Sequence, residues 1–211
     1  MPKAHRIVVF TGPMKTAKTL RLLHAYQAYC ANQKRAKIIA FKPQADTRYN
    51  DRCIRTRLNP DVCIPAEIVG HSSEILSHVN PNIDLVLIDE ANFFDSDLLH
   101  AVMKVRTQAE VFITGLDKDF RGLPFGPMGH LLAIANEVHK LKAYCDVCKQ
   151  ELAEYTQLLE DGRPASAFVD TITPEGSVKN RVYETRCQEH FEPPHDLEEW
   201  LATQRATAVS V

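Results

Sequence analysis

The chain has 211 residues, 25% of them charged and 45% hydrophobic, enough to bury a large core in one domain or in one domain with a small appendage. Its formal net charge of −2 provides no general attraction to a phosphate backbone, so nucleic acid is not an expected partner. No apolar run approaches the ~20 residues of a membrane span, and Met1-Pro2-Lys3-Ala4-His5-Arg6 is not followed by the apolar region of a signal peptide, so a cytoplasmic protein with no membrane partner is expected.

Ile7-Val8-Val9-Phe10 is apolar and mostly β-branched, the pattern of a strand buried on both faces. From Leu20 onward, with Leu20, Leu23 and Tyr26 on one stripe, the spacing predicts a helix that stops near Ala31-Asn32. Between them, Gly12-Pro13-Met14-Lys15-Thr16-Ala17-Lys18-Thr19 follows the pattern G-x-x-x-x-G-K-[ST], except that Ala17 stands at the second glycine. A loop that turns a strand end into a helix start aims several backbone N–H groups at one point beside the positive end of the helix dipole, where a polyphosphate fits. Lys18 would supply a point charge to the β- and γ-phosphates, and Thr19 a hydroxyl to Mg²⁺. If position 17 needs a positive φ, its methyl group costs on the order of 0.4–1 kcal/mol or more. The plain alternative is an ordinary strand–turn–helix that happens to carry Lys-Thr.

Ala36 to Phe41 predicts a second strand, and strand–helix–strand implies a parallel unit. The span with Arg52, Arg55 and Arg57 reads as an exposed loop and edge strand, its arginines facing solvent rather than phosphates. Six cysteines in a cytosolic chain are more often thiols or metal ligands than disulfides, and Cys30, Cys53 and Cys63, being scattered, are expected to be inert. Ser72-Ser73-Glu74 opens a short helix that ends before Asn80.

The run from Ile83 to Ile88 then ends in two carboxylates, Asp89 and Glu90. In a nucleotide-binding parallel sheet the strand beside the phosphate loop ends in an Asp that holds Mg²⁺, and a following Glu can take a proton. The alternative is a buried strand that ends in a solvated acidic turn. A helix over Asp95–Arg106 and a strand over Val111–Gly115 follow. In the Gly/Pro-rich loop 116–127, Phe120 and Phe125 either wall a pocket for a flat ring or pack under the loop. Met128 to Ala135 reads as a helix and Val138 to Leu141 as the last strand of the sheet.

After Leu141 the composition changes. Cys145-x-x-Cys148 and Cys187-x-x-His190 bring four soft or borderline donors in two tight pairs, which suits a closed, tetrahedral, structural Zn²⁺ site; a redox C-x-x-C and chance are the alternatives. Between the pairs, Leu152 to Leu159 reads as a strand, 160–164 as a turn, and Phe168 to Tyr183 as a second hairpin or a long loop anchored by the metal, a candidate lid. From Asp196, with Trp200, a short packing helix is expected.

In order and spacing, these pieces resemble the thymidine kinase family of cytosol, bacteria and large DNA phages or viruses: Thr11-Gly12-Pro13-Met14 through Lys18-Thr19, Asp46-Thr47-Arg48-Tyr49, Asp89 to Phe94, Gly115 to Gly122 with Pro124-Phe125-Gly126, and the two ligand pairs with Tyr183 just before the second. The resemblance covers most of the chain. It implies an α/β fold, a P-loop-type parallel sheet flanked by helices (1–142), a small zinc-binding β subdomain whose lasso loop closes over a nucleoside (143–192), and a C-terminal helix and tail (193–211), usually in a homotetramer. It also implies phosphoryl transfer from ATP to the 5′-hydroxyl of thymidine. On the matching positions, Glu90 is the base and Asp89 and Thr19 serve Mg²⁺. Gly12, Pro13, Met14, Lys15, Thr16, Ala17, Lys18 and Thr19, with Asp46, Arg48, Asp89 and Asn92, belong to the nucleotide. Met14, Phe93, Leu116, Phe120, Phe125 and Tyr183 line the nucleoside pocket, and Cys145, Cys148, Cys187 and His190 hold Zn²⁺.

The chain departs from the family at Ala17, at Asn92 where Gln is usual, and in the lasso, where Val178-Lys179 replaces a Gly-Gly stretch unless Thr173-Pro174-Glu175-Gly176 represents it. The lasso change bears on the base, and another deoxypyrimidine is the alternative substrate. The competing functions are a P-loop ATPase that uses Asp89-Glu90 to activate water and a catalytically inactive nucleotide-binding homologue.

Overall fold

In the computed structural model, which describes residues 5–46, 52–56, 59–172 and 178–208, the N-terminal apolar run is strand β1 (Ile7–Thr11), buried throughout. Helix α1 (Lys18–Asn32), strand β2 (Ile38–Pro43), the hairpin of β3 (Cys53–Thr56) and β4 (Asn59–Pro65), strand β5 (Glu67–Val69) and the short helix α2 (Ile75–His78) follow. Then come β6 (Leu85–Ile88), α3 (Leu98–Val105), β7 (Glu110–Gly115), α4 (Met128–Ile134) and β8 (Glu137–Lys140). Six of these strands make one wholly parallel sheet in the order β5-β2-β6-β7-β1-β8. Parallel pairing puts every strand's carboxyl end on the same edge, so the loops after β1, β6 and β7 all leave from there.

The side-chain alternation explains why this sheet carries cover on both faces. Ile7, Val9, Val86, Ile88, Val111 and Ile113 turn to one side and pack with Leu98, Val102 and Val105 of α3 and Met128 and Leu131 of α4. Val8, Phe10, Leu85, Leu87 and Phe112 turn to the other side, against Leu22 and Leu23 of α1 and Ile54 and Ile64 of the hairpin. Each fully buried Leu or Ile contributes about 1.5–3 kcal/mol.

Three expectations change. The span from Arg52 is not an exposed loop but a hairpin, because Ile54 and Ile64 find an apolar partner in α1; Arg52 does stay outside, 2.8 Å from Glu67. Arg57 lies outside the described residues. The hairpin also joins Cys53 to Cys63 in a disulfide, where inert thiols were expected. The strand that ends in Asp89 is not beside β1: β7 runs between β6 and β1.

The chain divides into two units, Met1–Asp117 with Pro124–Leu141 and Lys118–Leu123 with Lys142–Val211. In the second, β9 (Ala143–Tyr144) pairs antiparallel with β10 (Leu152–Ala153), and β11 (Tyr155–Glu160) lies between β12 (Arg163–Pro164) and β13 (Arg181–Arg186), also antiparallel. The single strand expected from Leu152 to Leu159 is interrupted at Glu154, whose N–H donates to Arg186 O. Asp161 and Gly162, both at positive φ (50° and 77°), form the tight turn from β11 to β12. Residues 165–172 and 178–180 contain no strand, and 173–177 lie outside the described residues. Helix α5 (Leu197–Ala208) follows Asp196, which accepts hydrogen bonds from Ser166 Oγ (2.5 Å) and Ala167 N–H (2.7 Å).

Candidate active site

The loop between β1 and α1 is wound by left-handed backbone. Gly12 has φ 132°, and a Cβ there would strike the carbonyl of Leu141. Lys15 (φ 62°) and Ala17 (φ 59°, ψ 33°) follow, so position 17 does need the conformation that favours glycine. The Thr16 hydroxyl donates to Pro13 O at 2.9 Å, and Lys18 Nζ, almost buried, donates to the same carbonyl at 2.6 Å. The loop is thereby closed upon itself, with its ammonium group held inside the curve.

Asp89 and Glu90 are each 6% exposed, and buried carboxylates must be paired or hydrogen-bonded. Asp89 N–H donates to Phe41 O of β2 at 3.0 Å. Its Oδ1 accepts a short hydrogen bond from the Thr114 hydroxyl and lies 3.4 Å from Thr19 Oγ1. Glu90 N–H points at Thr114 Oγ1, 3.4 Å away, and Thr11 Oγ1 donates to Gly115 O at 2.9 Å. The intervening strand β7 therefore does not separate the loop from the carboxylates: Thr19 reaches Asp89 directly, and Thr114 braces that carboxylate from β7. Glu90 itself is left-handed (φ 51°, ψ 45°), which turns the chain sharply into a one-turn 3₁₀ segment, Ala91–Phe93.

That turn fixes an apolar wall. Asn92, 2% exposed, accepts Leu116 N–H on Oδ1 at 2.9 Å, and a Cβ at Gly126 would strike the Asn92 carbonyl. Phe93 meets Phe125 edge to face, centroids 5.4 Å apart. Asn92 Nδ2 has no hydrogen-bond partner among the described residues. Met14 lies half-buried on the loop between β1 and α1. Asp46 is held 3.5 Å from Lys42 Nζ, a lysine only 2% exposed, while Arg48 is outside the described residues.

In the second unit, the ligand atoms of Cys145, Cys148, Cys187 and His190 all lie within 4.8 Å of one another. Tetrahedral Zn²⁺ with Zn–S near 2.3 Å needs sulfurs roughly 4 Å apart, so this Cys₃His set fits the ion. Each pair is a tight turn: Lys149 N–H bonds to Cys145 O (3.0 Å), and His190 and Phe191 N–H bond to Cys187 O (3.2 and 3.0 Å). Asp146 ties the two turns together, its Oδ2 accepting Thr185 N–H at 2.8 Å. Burial opposes the Cys145 thiolate, but backbone hydrogen bonds from Cys187, Cys148 and Val147 outweigh it and lower the thiol pKa to about 6. Tyr183, 8% exposed, stands on β13 opposite Leu158. Phe120 is 3% exposed beneath Arg121, whose guanidinium lies 4.6 Å from its ring and 4.4 Å from that of Trp200.

A family model described as thymidine kinase matches residues 5–191. The chain belongs to the thymidine kinase family. It is 39% identical over 185 residues to a thymidine kinase of Onion yellows phytoplasma (strain OY-M), which covers 87% of this chain and 85% of that protein. It is 36% identical over 187 residues to a thymidine kinase of Aster yellows witches'-broom phytoplasma (strain AYWB), with the same coverage of 87% and 85%.

Three residues of this thymidine kinase family member escaped the sequence reading. Thr114 is one, a β-branched residue inside a strand whose hydroxyl shows no signal in a hydropathy pattern. Lys42 is another, a charge at the end of an apolar strand. Arg121 is the third: its Nε and Nη2 donate to Ala167 O (2.7 Å) and Val169 O (2.9 Å) and its Nη1 to Asp119 (2.7 Å), so it pins the start of the long segment before β13.

Proposed function

We propose that the chain transfers the γ-phosphoryl group of ATP to the 5′-hydroxyl of thymidine. The observation that carries this reading is the 3.4 Å approach of Thr19 Oγ1 to Asp89 Oδ1, which joins the phosphate loop to the carboxylate pair. A hydroxyl and a carboxylate are hard oxygen donors that suit Mg²⁺, so Thr19 and Asp89 are its proposed holders. When bound, that ion would neutralise charge on the β- and γ-phosphates.

The chain's own residues account for the rest. The loop from Gly12 to Thr19 presents N–H groups to the phosphates, Pro13 excepted, and Lys18 leaves the Pro13 carbonyl to meet them. Glu90, adjacent to Asp89 and turned by its left-handed backbone, takes the proton from the 5′-hydroxyl. Phe93, Phe125, Leu116 and Met14 offer apolar surface to a flat base, and Asn92 keeps Leu116 in register. Asp46, Arg48 and Asn92 are assigned to the nucleotide, and Phe120 and Tyr183 to the nucleoside, by resemblance alone. Zn²⁺ on Cys145, Cys148, Cys187 and His190 is structural, since four protein ligands leave no open position.

The same resemblance supports a homotetramer in the cytoplasm; no described helix is long and apolar enough to cross a membrane. Incubation with labelled ATP and Mg²⁺, with and without a panel of nucleosides, tests the reaction. Thymidine 5′-monophosphate is the expected product. ADP released equally fast without nucleoside would refute the transfer in favour of hydrolysis, bound ATP with no turnover would indicate an inactive homologue, and preference for another deoxypyrimidine would reject the base.

A further inference from the structure

The β3–β4 hairpin carries a chemistry that phosphoryl transfer does not use. Cys53 and Cys63 are bonded, with Cα atoms 5.6 Å apart, inside the ordinary disulfide range of about 4.4–6.8 Å. Cys53 faces Pro65 in the antiparallel register, so Cys63, two residues earlier, is its diagonal neighbour on the same side of the hairpin. Ile54 and Ile64 face each other on the opposite side and enter the core with Leu22 and Leu23. The two cysteines differ in access: Cys53 is 4% exposed, whereas Cys63 is an exposed residue.

We propose that Cys53–Cys63 is a reversible thiol–disulfide exchange site for low-molecular-weight thiols, entered at Cys63, and that it sets how firmly the hairpin holds α1. An incoming thiolate attacks Cys63 Sγ. A new S–S bond forms there, the Cys53–Cys63 bond breaks, and the electron pair leaves on Cys53 Sγ, which takes up the proton released by the incoming thiol. A second thiol then attacks the sulfur of the bound thiol, releasing a small disulfide and the Cys63 thiolate. Two thiols supply the two electrons, and a small disulfide reverses both steps.

The consequence reaches the phosphate loop through packing. Helix α1 begins at Lys18, and its buried Leu22 and Leu23, one turn on, rest on the two isoleucines that the disulfide holds in register. The bond spans ten residues of chain. By loop-closure entropy, opening so short a loop should lower the melting temperature of a chain of this size by about 5–10 °C.

The test uses the full zinc-loaded chain, purified without reductant, alkylated before and after exposure to reduced glutathione, and mapped by mass spectrometry. Cys53 and Cys63 should be unlabelled at first, both labelled after reduction, and protected again by oxidised glutathione. At limiting glutathione the trapped adduct should sit on Cys63, and the melting temperature should fall on reduction in the natural protein but not in the C53S/C63S variant. Labelling of both cysteines without reductant, an adduct on Cys53, or bonds reducible only in denaturant would overturn the proposal. So would a glutathione-dependent shift that persists in the double variant, which would assign it to the zinc-site cysteines. If that variant does not fold, the labelling and the adduct position in the natural protein decide alone.

Discussion

Ala17→Gly should make the chain more stable, against the usual rule that glycine weakens a helix. Ala17 sits one residue before α1 with φ 59° and ψ 33°, where its Cβ approaches the following carbonyl. The left-handed conformation costs an L-residue roughly 1–2 kcal/mol, and glycine escapes that cost. Glycine in turn gives the unfolded chain more freedom, which takes back about 0.4–1 kcal/mol. The difference is a gain centred on ~0.8 kcal/mol and at most about 1.6 kcal/mol, or a central rise of about 2–3 °C in melting temperature for about 200 residues. Ala28 supplies the control: it is exposed within α1, so Ala28→Gly should lower stability by about 1 kcal/mol. Thermal melts and denaturant titrations of the natural chain and of both variants therefore suffice. If both glycines destabilise alike, the left-handed cost at position 17 is absent and the reasoning fails.

Glu90→Gln keeps the shape of the side chain and removes the base, so transfer should slow about 10²–10⁴-fold with ATP affinity retained; an undiminished rate in single-turnover assays would remove Glu90 from that role. Thr114→Val deletes the hydroxyl that donates to Asp89 and faces Glu90 N–H, costing these buried groups a partner at about 1–3 kcal/mol each, so the melting temperature should fall by about 4 °C or more and kcat at least about tenfold. A full kcat would show that Thr114 does not position the Asp89–Glu90 turn for the reaction. Cys187→Ser should release zinc, seen by metal analysis, and lower stability together with activity; unchanged metal content would rule out the assignment. Asp196 has its pKa lowered by hydrogen bonds from Ala167 N–H and Ser166, so its contribution is complete above the ordinary carboxylate value of about 4 and lost as pH falls through the lower folded value. Trp200 fluorescence should report loosening of α5 in that acid window, and Asp196→Asn should abolish the transition; an unaltered acid titration in that variant would contradict this.

The sequence exposed those features whose physics is local. Apolar runs such as Leu85–Ile88 and Val111–Ile113 read as strands because each is short, rich in β-branched or bulky residues and bounded by polar ones, and Gly12 to Thr19 declares its turn by composition. The two cysteine-containing pairs declare a metal site because each is a tight turn closed within its own few residues. What stayed hidden depends on pairing across distance. The order of strands is not written in any one of them, so the place of β7 between β6 and β1 came only with the fold, and with it the part played by Thr114. Cys53 and Cys63 look scattered along the chain and become neighbours only when Ile54 and Ile64 face each other. The burial of Phe120 under Arg121 shows its contact with the chain's own packing, one of the two readings its sequence context allowed.

The strain in this molecule is distributed in a way that bears on its chemistry. Among the described residues, the non-glycine positions with positive φ are Lys15, Ala17, Glu90, Lys149, Asp161 and Asn180. Asp161 and Asn180 compensate each other: Asn180 Nδ2 donates to Asp161 Oδ1 at 2.7 Å and Asp161 N–H to Asn180 O at 3.1 Å, where β11 ends and β13 begins. Lys149 closes a ligand turn whose cysteines are held by backbone hydrogen bonds. Lys15, Ala17 and Glu90 stand instead at the carboxyl ends of β1 and β6, each at a cost on the order of 1–3 kcal/mol. They persist because the strands behind them are fully buried and cannot shift without opening both faces of the sheet. A rigid frame thus holds two sharp turns in conformations that neither would keep alone; Thr19 meets Asp89 across them, and Thr114, on the strand between, anchors the Asp89–Glu90 turn through a single hydroxyl. It follows that the geometry of both turns is set by the sheet behind them, and that relaxing the sheet would disturb the loop after β1 and the Asp89–Glu90 turn together.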